Sequence, residues 1–279
     1  MTQNIKDLKI ECSKFISLTT TSNGSAICIQ LQLSNLPLYI LSSTFYDCSA
    51  SLEGGAVYLI NCETNFLNNN FDSCYSKQNK NELHGNAIYN YQSASNINET
   101  SFYLCGPDTQ RKSDSCVYMN GNKFISYESN GTNNYGIGGA GLFCFWYTFD
   151  GTFVKFTQVY KCFDYRFIEI ISSEFTTSFC NFIDASKQTD ILWISGKVPI
   201  FEDCIFINIT GKKIAGGGTS VFTRCISNDN YSGMIFSSSP STYEIILGVN
   251  NCIFYNCSKK NDNKCLLLSN IFLYIFILI

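Results

Sequence analysis

Carboxylates and one histidine are the side chains of this sequence that could catalyse hydrolysis, since glycoside cleavage uses two carboxyl groups held a few ångströms apart. Asp47 and Asp203 share a position in a repeated Phe-x-x-Cys phrase but lie far apart in the chain. Glu202 and Asp203 are adjacent, and adjacent strand residues point to opposite faces. His84 precedes a Gly-Asn pair, which predicts a surface corner rather than a general base. No catalytic residue is therefore assigned.

Cysteine is the other reactive residue type, with 15 in 279 residues. Two interpretations are open, because secreted proteins use cysteine for disulfides whereas a free buried cysteine packs as a small apolar residue. The chain has no Cys-x-x-Cys pair and only one histidine, so a structural zinc site is not expected. We predict mostly reduced, buried cysteines, and we predict no metal or cofactor.

The composition limits the class of partner. The formal net charge is −3, and charged residues make up 15% of the chain against 45% hydrophobic residues. A dedicated nucleic-acid-binding protein would need a basic patch or stripe, so we do not expect a nucleic-acid partner. The apolar content is sufficient for a large packed core.

Two short phrases recur along the chain. The first has a small residue, an aliphatic residue and an aromatic residue, and its clearest copies place Ala26, Ala56, Ala87 and Cys116 in steps of about 30 residues. Looser copies are Gly139–Phe143, Phe167–Ile170, Ile191–Ile194, Ser220–Phe222 and Met234–Phe236. The second phrase is Phe-x-x-Cys, with copies that begin at Phe45, Phe71, Phe102, Phe201 and Phe222. A related Cys-x-Phe form begins at Cys180, Cys204 and Cys252.

These repeats predict a stack of strands. Apolar and polar residues alternate within each phrase with a period of two, which is typical of strands. One short coil cannot bury its apolar face alone, whereas stacked coils bury a continuous core. We therefore predict an all-β, right-handed parallel β-helix that forms a single domain over residues 10–260, with the two phrases on different faces of each coil. Longer loops are expected near Lys77–Leu83, Pro107–Ser115 and Ser129–Gly138.

The two ends of the sequence differ. The first 15 residues have no apolar run after their lysines, which does not predict a secretory signal peptide. Residues 265–279 form an uncharged hydrophobic tail of 15 residues, shorter than the roughly 20 that a membrane-spanning helix needs. This tail fits a capping element, a truncated membrane segment or a lipid-anchor signal, so membrane association through residues 265–279 is one of three interpretations.

The Gly-Gly-Ala-[Ile/Val]-Tyr and Phe-x-x-Cys units resemble the repeats of polymorphic outer-membrane-protein-like sequences, of the chlamydial and trichomonad type. The resemblance is clearest over residues 24–145 and continues loosely to Cys257. It implies a right-handed parallel β-helix surface protein with an adhesive or antigenic role, and it supplies no catalytic residues. The sequence departs from the bacterial members of this family, since we do not expect a signal peptide or a membrane barrel from it.

Asn-x-Ser/Thr acceptors occur at six positions. Asn208 and Asn256 lie inside strand phrases and are expected to be poor acceptors. The candidate N-glycosylation sites, in a protein that enters the secretory route, are Asn23, Asn98, Asn130 and Asn230.

The function expected from the sequence is that of a non-catalytic adhesion-type protein at a cell surface or membrane, with a broad binding face for a protein or glycan. The alternative is a carbohydrate-active β-helix enzyme, a polysaccharide lyase or glycoside hydrolase. The absence of a recognisable catalytic grouping in the sequence favours the first function over the second.

Overall fold

The fold is known from a computed structural model. It describes residues 6–32, 36–77, 85–92, 94–106, 115–121, 123–147, 151–171, 175–184, 190–195, 199–207, 213–216, 221–227, 248–250 and 253–254. This part of the chain consists of strands and the corners between them, without a helix. All the strands pair in parallel and form four sheets, here named A to D. The chain is an all-β parallel solenoid, as the sequence predicts.

Sheets A and B have ten strands each. Sheet A contains β1 (Leu8–Glu11), β5 (Leu36–Leu41), β9 (Cys62–Leu67), β13 (Ser95–Asn98), β16 (Phe124–Tyr127), β19 (Thr152–Lys155), β22 (Phe175–Ser178), β25 (Ile200–Glu202), β28 (Val221–Thr223) and β30 (Gly248–Asn250). Sheet B contains β2 (Lys14–Ile16), β6 (Thr44–Tyr46), β10 (Asn70–Asp72), β14 (Ser101–Tyr103), β17 (Asn130–Thr132), β20 (Gln158–Tyr160), β23 (Asn181–Ile183), β26 (Ile205–Ile207), β29 (Ile226–Ser227) and β31 (Ile253–Phe254).

Sheets C and D complete the coils. Sheet C has three strands, β3 (Thr19–Thr20), β7 (Ser49–Ala50) and β11 (Tyr75–Ser76). Sheet D contains β4 (Ile27–Gln30), β8 (Val57–Ile60), β12 (Ile88–Tyr91), β15 (Ser115–Asn120), β18 (Tyr135–Trp146), β21 (Phe163–Ile171), β24 (Asp190–Ser195) and β27 (Lys213–Gly216). One coil therefore passes through A, B, C and D in the first three circuits, and neighbouring coils lie about 4.8 Å apart.

The register of the strands confirms that most copies of the first phrase occupy equivalent positions on neighbouring coils. In sheet D, Val57 pairs with Ile27 on one side and Ile88 on the other, and Ile88 pairs with Val117. The glycine that opens this phrase has a positive φ, for example 61° at Gly54. A Cβ atom there would lie 2.2 Å from the carbonyl oxygen of Val57, so only glycine fits this corner.

Three expectations need correction. Ser220–Phe222 was assigned to the first phrase, but Val221 belongs to sheet A, where it pairs with Ile200. The Phe-x-x-Cys phrase was assigned to one face, but Phe71 lies in sheet B whereas Phe201 lies in sheet A. No long loop interrupts Ser129–Gly138, which contains β17, a two-residue corner and the start of β18.

The core is a set of ladders inside the coils. Phe15, Phe45, Phe71 and Phe102 stack on successive coils of sheet B, with ring centroids 4.5 to 5.1 Å apart. The last three are fully buried. Gly131 follows them in register, and the buried side chain of Leu142 fills the space that a ring would take there. These ladders explain why the Phe-x-x-Cys phrase recurs: each copy adds one layer to the core.

A second apolar cluster lies on the opposite side of sheet D. Tyr58, Tyr89 and Tyr118 stack there with centroids 5.0 and 5.1 Å apart, and at most 8% of each side chain is exposed. Burial raises the pKa of the Tyr89 and Tyr118 hydroxyls. The aromatic ring of the first phrase is therefore part of a buried cluster.

The boundaries of the predicted domain, residues 10–260, and of the predicted tail, residues 265–279, stay predictions. Strands of the solenoid run from Leu8 to Phe254, and the tail lies outside the described residues. The right-handed sense of the coil follows from the connection rule for parallel strands.

Candidate functional site

The corners between sheets A and B have the same two-residue form wherever the structure describes them. The first corner residue has a positive φ, as at Ser42 (48°) and Glu128 (51°), and the second turns its side chain inward. The other described members of this first position are Cys12, Asn68, Glu99, Phe156, Phe179, Asp203 and Arg224. No insertion occurs at these corners. On every described coil the strand of sheet B therefore begins after the same two-residue corner.

The inward residue of each corner donates a hydrogen bond to the backbone. Ser43 Oγ donates to the carbonyl oxygen of Leu41 at 2.9 Å. Cys74 Sγ, at the corner that follows sheet B, lies 3.5 Å from the carbonyl oxygens of Asp72 and of Phe45 on the preceding coil. Serine, threonine, asparagine and cysteine thus satisfy the same buried carbonyl groups. Phe-x-x-Cys therefore describes the end of a strand and its corner, which explains why it occurs on two faces.

The cysteines of the described part are free, and ten of these twelve are buried. The exposed ones are Cys12 and Cys28. Burial raises the pKa of the Cys62 thiol to about 11 and that of Cys162 to about 12, which suppresses the reactive thiolate. The thiols therefore act as core and corner residues in this structure, in agreement with the interpretation of reduced cysteines.

The outer face of sheet B consists of two parallel columns of side chains. The column at the end of each strand is here named the tyrosine column, and it contains Ile16, Tyr46, Asp72, Tyr103, Thr132, Tyr160, Ile183 and Ile207. The column at the start of each strand is here named the amide column, and it contains Lys14, Thr44, Asn70, Ser101, Asn130, Gln158, Asn181 and Ile205. The residue between the two columns points into the core.

From β6 to β20 the tyrosine column carries a ring on every second coil. Tyr46 is 47% exposed and Tyr103 is 40% exposed, and Asp72 separates them. Within the described coils, neither ring stacks on another aromatic ring, in contrast to the phenylalanines on the inner side of the same strands. The column continues to Tyr160, where the Lys161 ammonium lies 5.0 Å from the ring centroid.

From Thr44 to Asn181 the amide column is made of polar side chains, and hydrogen bonds link some of its neighbouring coils. Ser101 Oγ donates to Asn70 Oδ1 at 2.7 Å, and Asn130 Oδ1 accepts from the backbone N–H of Gln158 at 3.3 Å. Each amide retains further donors or acceptors beyond these bonds. The column therefore offers hydrogen-bonding groups beside the exposed tyrosines.

The face carries little charge and its margins are acidic. Lys14 and Asp72 are the charged residues on the described strands of sheet B. The first positions of the flanking corners carry two bases, Lys161 and Arg224, against five acids. The acids are Asp47, Glu99, Glu128, Asp184 and Asp203. A polyanion would be repelled from these margins.

The carboxylates singled out in the sequence do not meet. Asp47 lies at the corner that follows sheet B, whereas Asp203 lies at the corner between sheets A and B, so they do not share a structural position. Asp203 forms a bidentate pair with Arg224 at 2.7 Å, and these hydrogen bonds lower the pKa of its carboxyl. Asp203 is thus an ion-pair partner.

Sequence analysis missed Glu99 and Glu128, which occupy the same corner on adjacent coils. Both are exposed, and their coils lie about 4.8 Å apart. Asn68 and Phe156 occupy the positions on either side, so the acidic run stops at two coils. The signal that could have found the pair is the corner spacing itself, because each glutamate stands directly before an inward serine or threonine.

The predicted glycosylation acceptors occupy three different environments. Asn23 and Asn98 are half-buried, and their Oδ1 atoms accept the backbone N–H groups of Glu53 (3.0 Å) and Tyr127 (3.2 Å). Asn130 is exposed on the amide column. Asn230 and His84 lie outside the described residues. Glycosylation of all four asparagines stays a prediction.

The described residues contain no group of three or more His, Cys, Asp or Glu side chains that could hold a metal ion. Nor does any helix in these ranges have the length and apolarity to cross a membrane. No family model, curated protein or solved structure matches this chain. The geometry of the solenoid is therefore the basis for assigning a function.

Proposed function

We propose that this protein is a non-catalytic, adhesion-type solenoid that presents the outer face of sheet B to a protein or glycan ligand. One observation carries the proposal: the two-residue corners leave the edge between sheets A and B without insertions, and the outer side chains of the strands from β2 to β20 are exposed or half-buried, so they form a continuous surface. A long flat face with exposed aromatic rings and hydrogen-bonding side chains suits binding to an extended partner.

The proposed location is a cell surface or membrane. The resemblance of the repeats to polymorphic outer-membrane-protein-like sequences supports it, as do the candidate acceptor at the exposed Asn130 and the hydrophobic residues 265–279. In this proposal Asn23, Asn98, Asn130 and Asn230 are the acceptors of N-linked glycans, and residues 265–279 provide membrane association.

The alternative is a carbohydrate-active enzyme, and Glu99 with Glu128 is the observation that favours it. Two carboxylates on adjacent coils have about the separation that retaining glycosidases use. Both side chains are exposed, however, without the enclosing site that raises the pKa of a catalytic acid. The adhesion function fits the arrangement better.

The proposal is tested by two measurements on the full-length chain. Antibodies to the protein should label intact, unpermeabilised source cells, and soluble protein added to those cells should compete with their adhesion. The variant E99Q/E128Q should adhere as the wild type does. Exclusive labelling of the cell interior would overturn the location, and loss of polysaccharide cleavage in E99Q/E128Q would establish the enzyme instead.

A further inference from the structure

The spacing of the exposed tyrosines on sheet B defines a ligand repeat. Tyr46 and Tyr103 are two coils apart, which corresponds to about 10 Å along the solenoid axis. Asp72, between them, is a small side chain, and Thr132 takes the corresponding place between Tyr103 and Tyr160. An extended β-1,4-linked polysaccharide has a disaccharide repeat of nearly the same length, and every second sugar in it presents the same face.

We propose that the outer face of sheet B binds a neutral, unbranched β-1,4-linked polysaccharide that runs along the solenoid axis. This inference rests on the proposed binding function and names its ligand class. Alternate sugar rings lie against Tyr46 and Tyr103, because the partly positive C–H groups of a pyranose match the negative face of an aromatic ring. These side chains are 47% and 40% exposed, and no neighbouring aromatic ring covers them in the described coils.

The amide column supplies the hydrogen bonds that such a ligand requires. Thr44, Asn70 and Ser101 follow one another at the coil spacing beside the tyrosines. Sugar hydroxyls both donate and accept, and amide and hydroxyl side chains do the same. A continuous row of these groups matches a polymer with hydroxyls at every residue better than it matches a folded protein partner, whose interface has an apolar centre.

Charge favours a neutral polymer over an acidic one. The described strands of the face carry one base and one acid, Lys14 and Asp72, and the flanking corners carry more acids than bases. Polygalacturonate would bring one carboxylate per sugar to these acidic margins. The predicted order of affinity is therefore neutral β-1,4-linked glycans above polyuronates, with the difference reduced at high salt.

The ligand test uses insoluble cellulose, β-1,4-mannan and chitin as probes, with amylose and polygalacturonate as comparison polymers. The wild type should bind at least one β-1,4-linked polymer and neither comparison polymer. Y46A and Y103A should each lower affinity by roughly tenfold, and the double variant by more. Y39A is the matched control, because Tyr39 is an exposed tyrosine on the outer side of sheet A and its loss should leave affinity unchanged.

A second variant tests the alternating spacing itself. D72Y places a third ring one coil away from both Tyr46 and Tyr103, so the alternating spacing of the rings is lost. It should weaken binding by roughly threefold or more although it adds aromatic surface, whereas D72T should bind as the wild type. Circular dichroism of each variant confirms that the fold is kept.

The outcomes separate this inference from the proposed function. Tighter binding by D72Y would show a simple apolar patch and overturn the β-1,4 assignment. Binding of a protein or of polygalacturonate that Y46A/Y103A abolishes would overturn the assignment while the binding face stands. Equal binding of cellulose, mannan or chitin by wild type and Y46A/Y103A would show that the polysaccharide does not bind to this face.

Discussion

The two sides of sheet B use aromatic rings in opposite ways. On the inner side, Phe45, Phe71 and Phe102 occupy consecutive coils, and each ring covers the faces of its neighbours at 4.5 to 5.1 Å. On the outer side, Tyr46 and Tyr103 occupy alternate coils with Asp72 between them. The strands and their spacing are the same on both sides, so only the choice of residue differs.

The difference shows what the coil spacing permits. Consecutive rings fill the spacing completely, so their faces contribute to stability and are closed to ligands. Alternate rings leave space between them and remain 40 to 47% exposed, so they contribute less to stability and are accessible to a ligand. Three experiments test this contrast and a fourth tests the core beneath the neighbouring sheet A, and they are described from the largest expected effect to the smallest.

F71A should have the largest effect. Phe71 is fully buried between Phe45 and Phe102, and removing it leaves a cavity that the stacked coils cannot close. We expect a loss of about 3 to 5 kcal/mol in the free energy of unfolding, measured by urea denaturation. A loss below about 1 kcal/mol would show that the inner stack does not stabilise the coils.

G131A tests the one interruption of the inner stack in this half of the solenoid. A Cβ atom at Gly131 would lie 2.6 Å from Cδ1 of Leu142, whose side chain is buried. Overpacking of this kind typically lowers the free energy of unfolding by about 1 to 3 kcal/mol. In a double-mutant cycle, L142A should relieve part of this loss, and strict additivity of the two changes would argue against the contact.

Alkaline pH should destabilise the core of the coils through buried thiols such as Cys62 in sheet A. Burial raises the pKa of Cys62 to about 11, against about 8.5 in an unfolded chain. Above pH 8.5 or so the unfolded state releases a proton that the folded state keeps, so this contribution is complete below that pH and is lost as the pH rises toward 11.

The matched variant for this pH effect is C62V, which has no thiol to titrate. Urea denaturation midpoints at neutral pH and near pH 10, in reducing buffer, should fall less steeply for C62V than for the wild type. An equal fall of the two midpoints would show that Cys62 has the same pKa in the folded and unfolded states. The stability of the core would then not depend on the protonated Cys62 thiol.

Y46A should have the smallest effect on stability. The ring is 47% exposed and stacks on no other aromatic ring of the described coils, so the free energy of unfolding should change by about 0.5 kcal/mol or less. The same urea assay compares it directly with F71A. A loss as large as that of F71A would erase the contrast between the two sides of the sheet.

Sequence periodicity predicted the solenoid because its signal is strong and local. The steps of about 30 residues between Ala26, Ala56 and Ala87 correspond to one coil each, and these residues bond in register through their backbones. The glycine two residues before each of these alanines has a positive φ. These features depend on the spacing of neighbouring residues, which a sequence displays directly.

The face of each phrase could not be predicted in the same way. Phe71 and Phe201 stand in identical Phe-x-x-Cys phrases, yet they belong to different sheets because both corners of the coil accept the same inward donor. The tyrosine column was equally hidden, since Tyr46 and Tyr103 are adjacent only after strands from separate phrases are placed in register. Register is a property of the whole stack.

The corners of this solenoid offer positions at which substitution could raise its stability. Nineteen described non-glycine residues hold φ between 48° and 58°, a conformation that is unfavourable by roughly 1 kcal/mol for most side chains and less so for asparagine. Leu104 is a bulky example at a half-buried corner. Changing such surface positions to asparagine should raise the melting temperature with each coil that is changed. The chain is therefore a scaffold that can be stabilised without altering either side of sheet B.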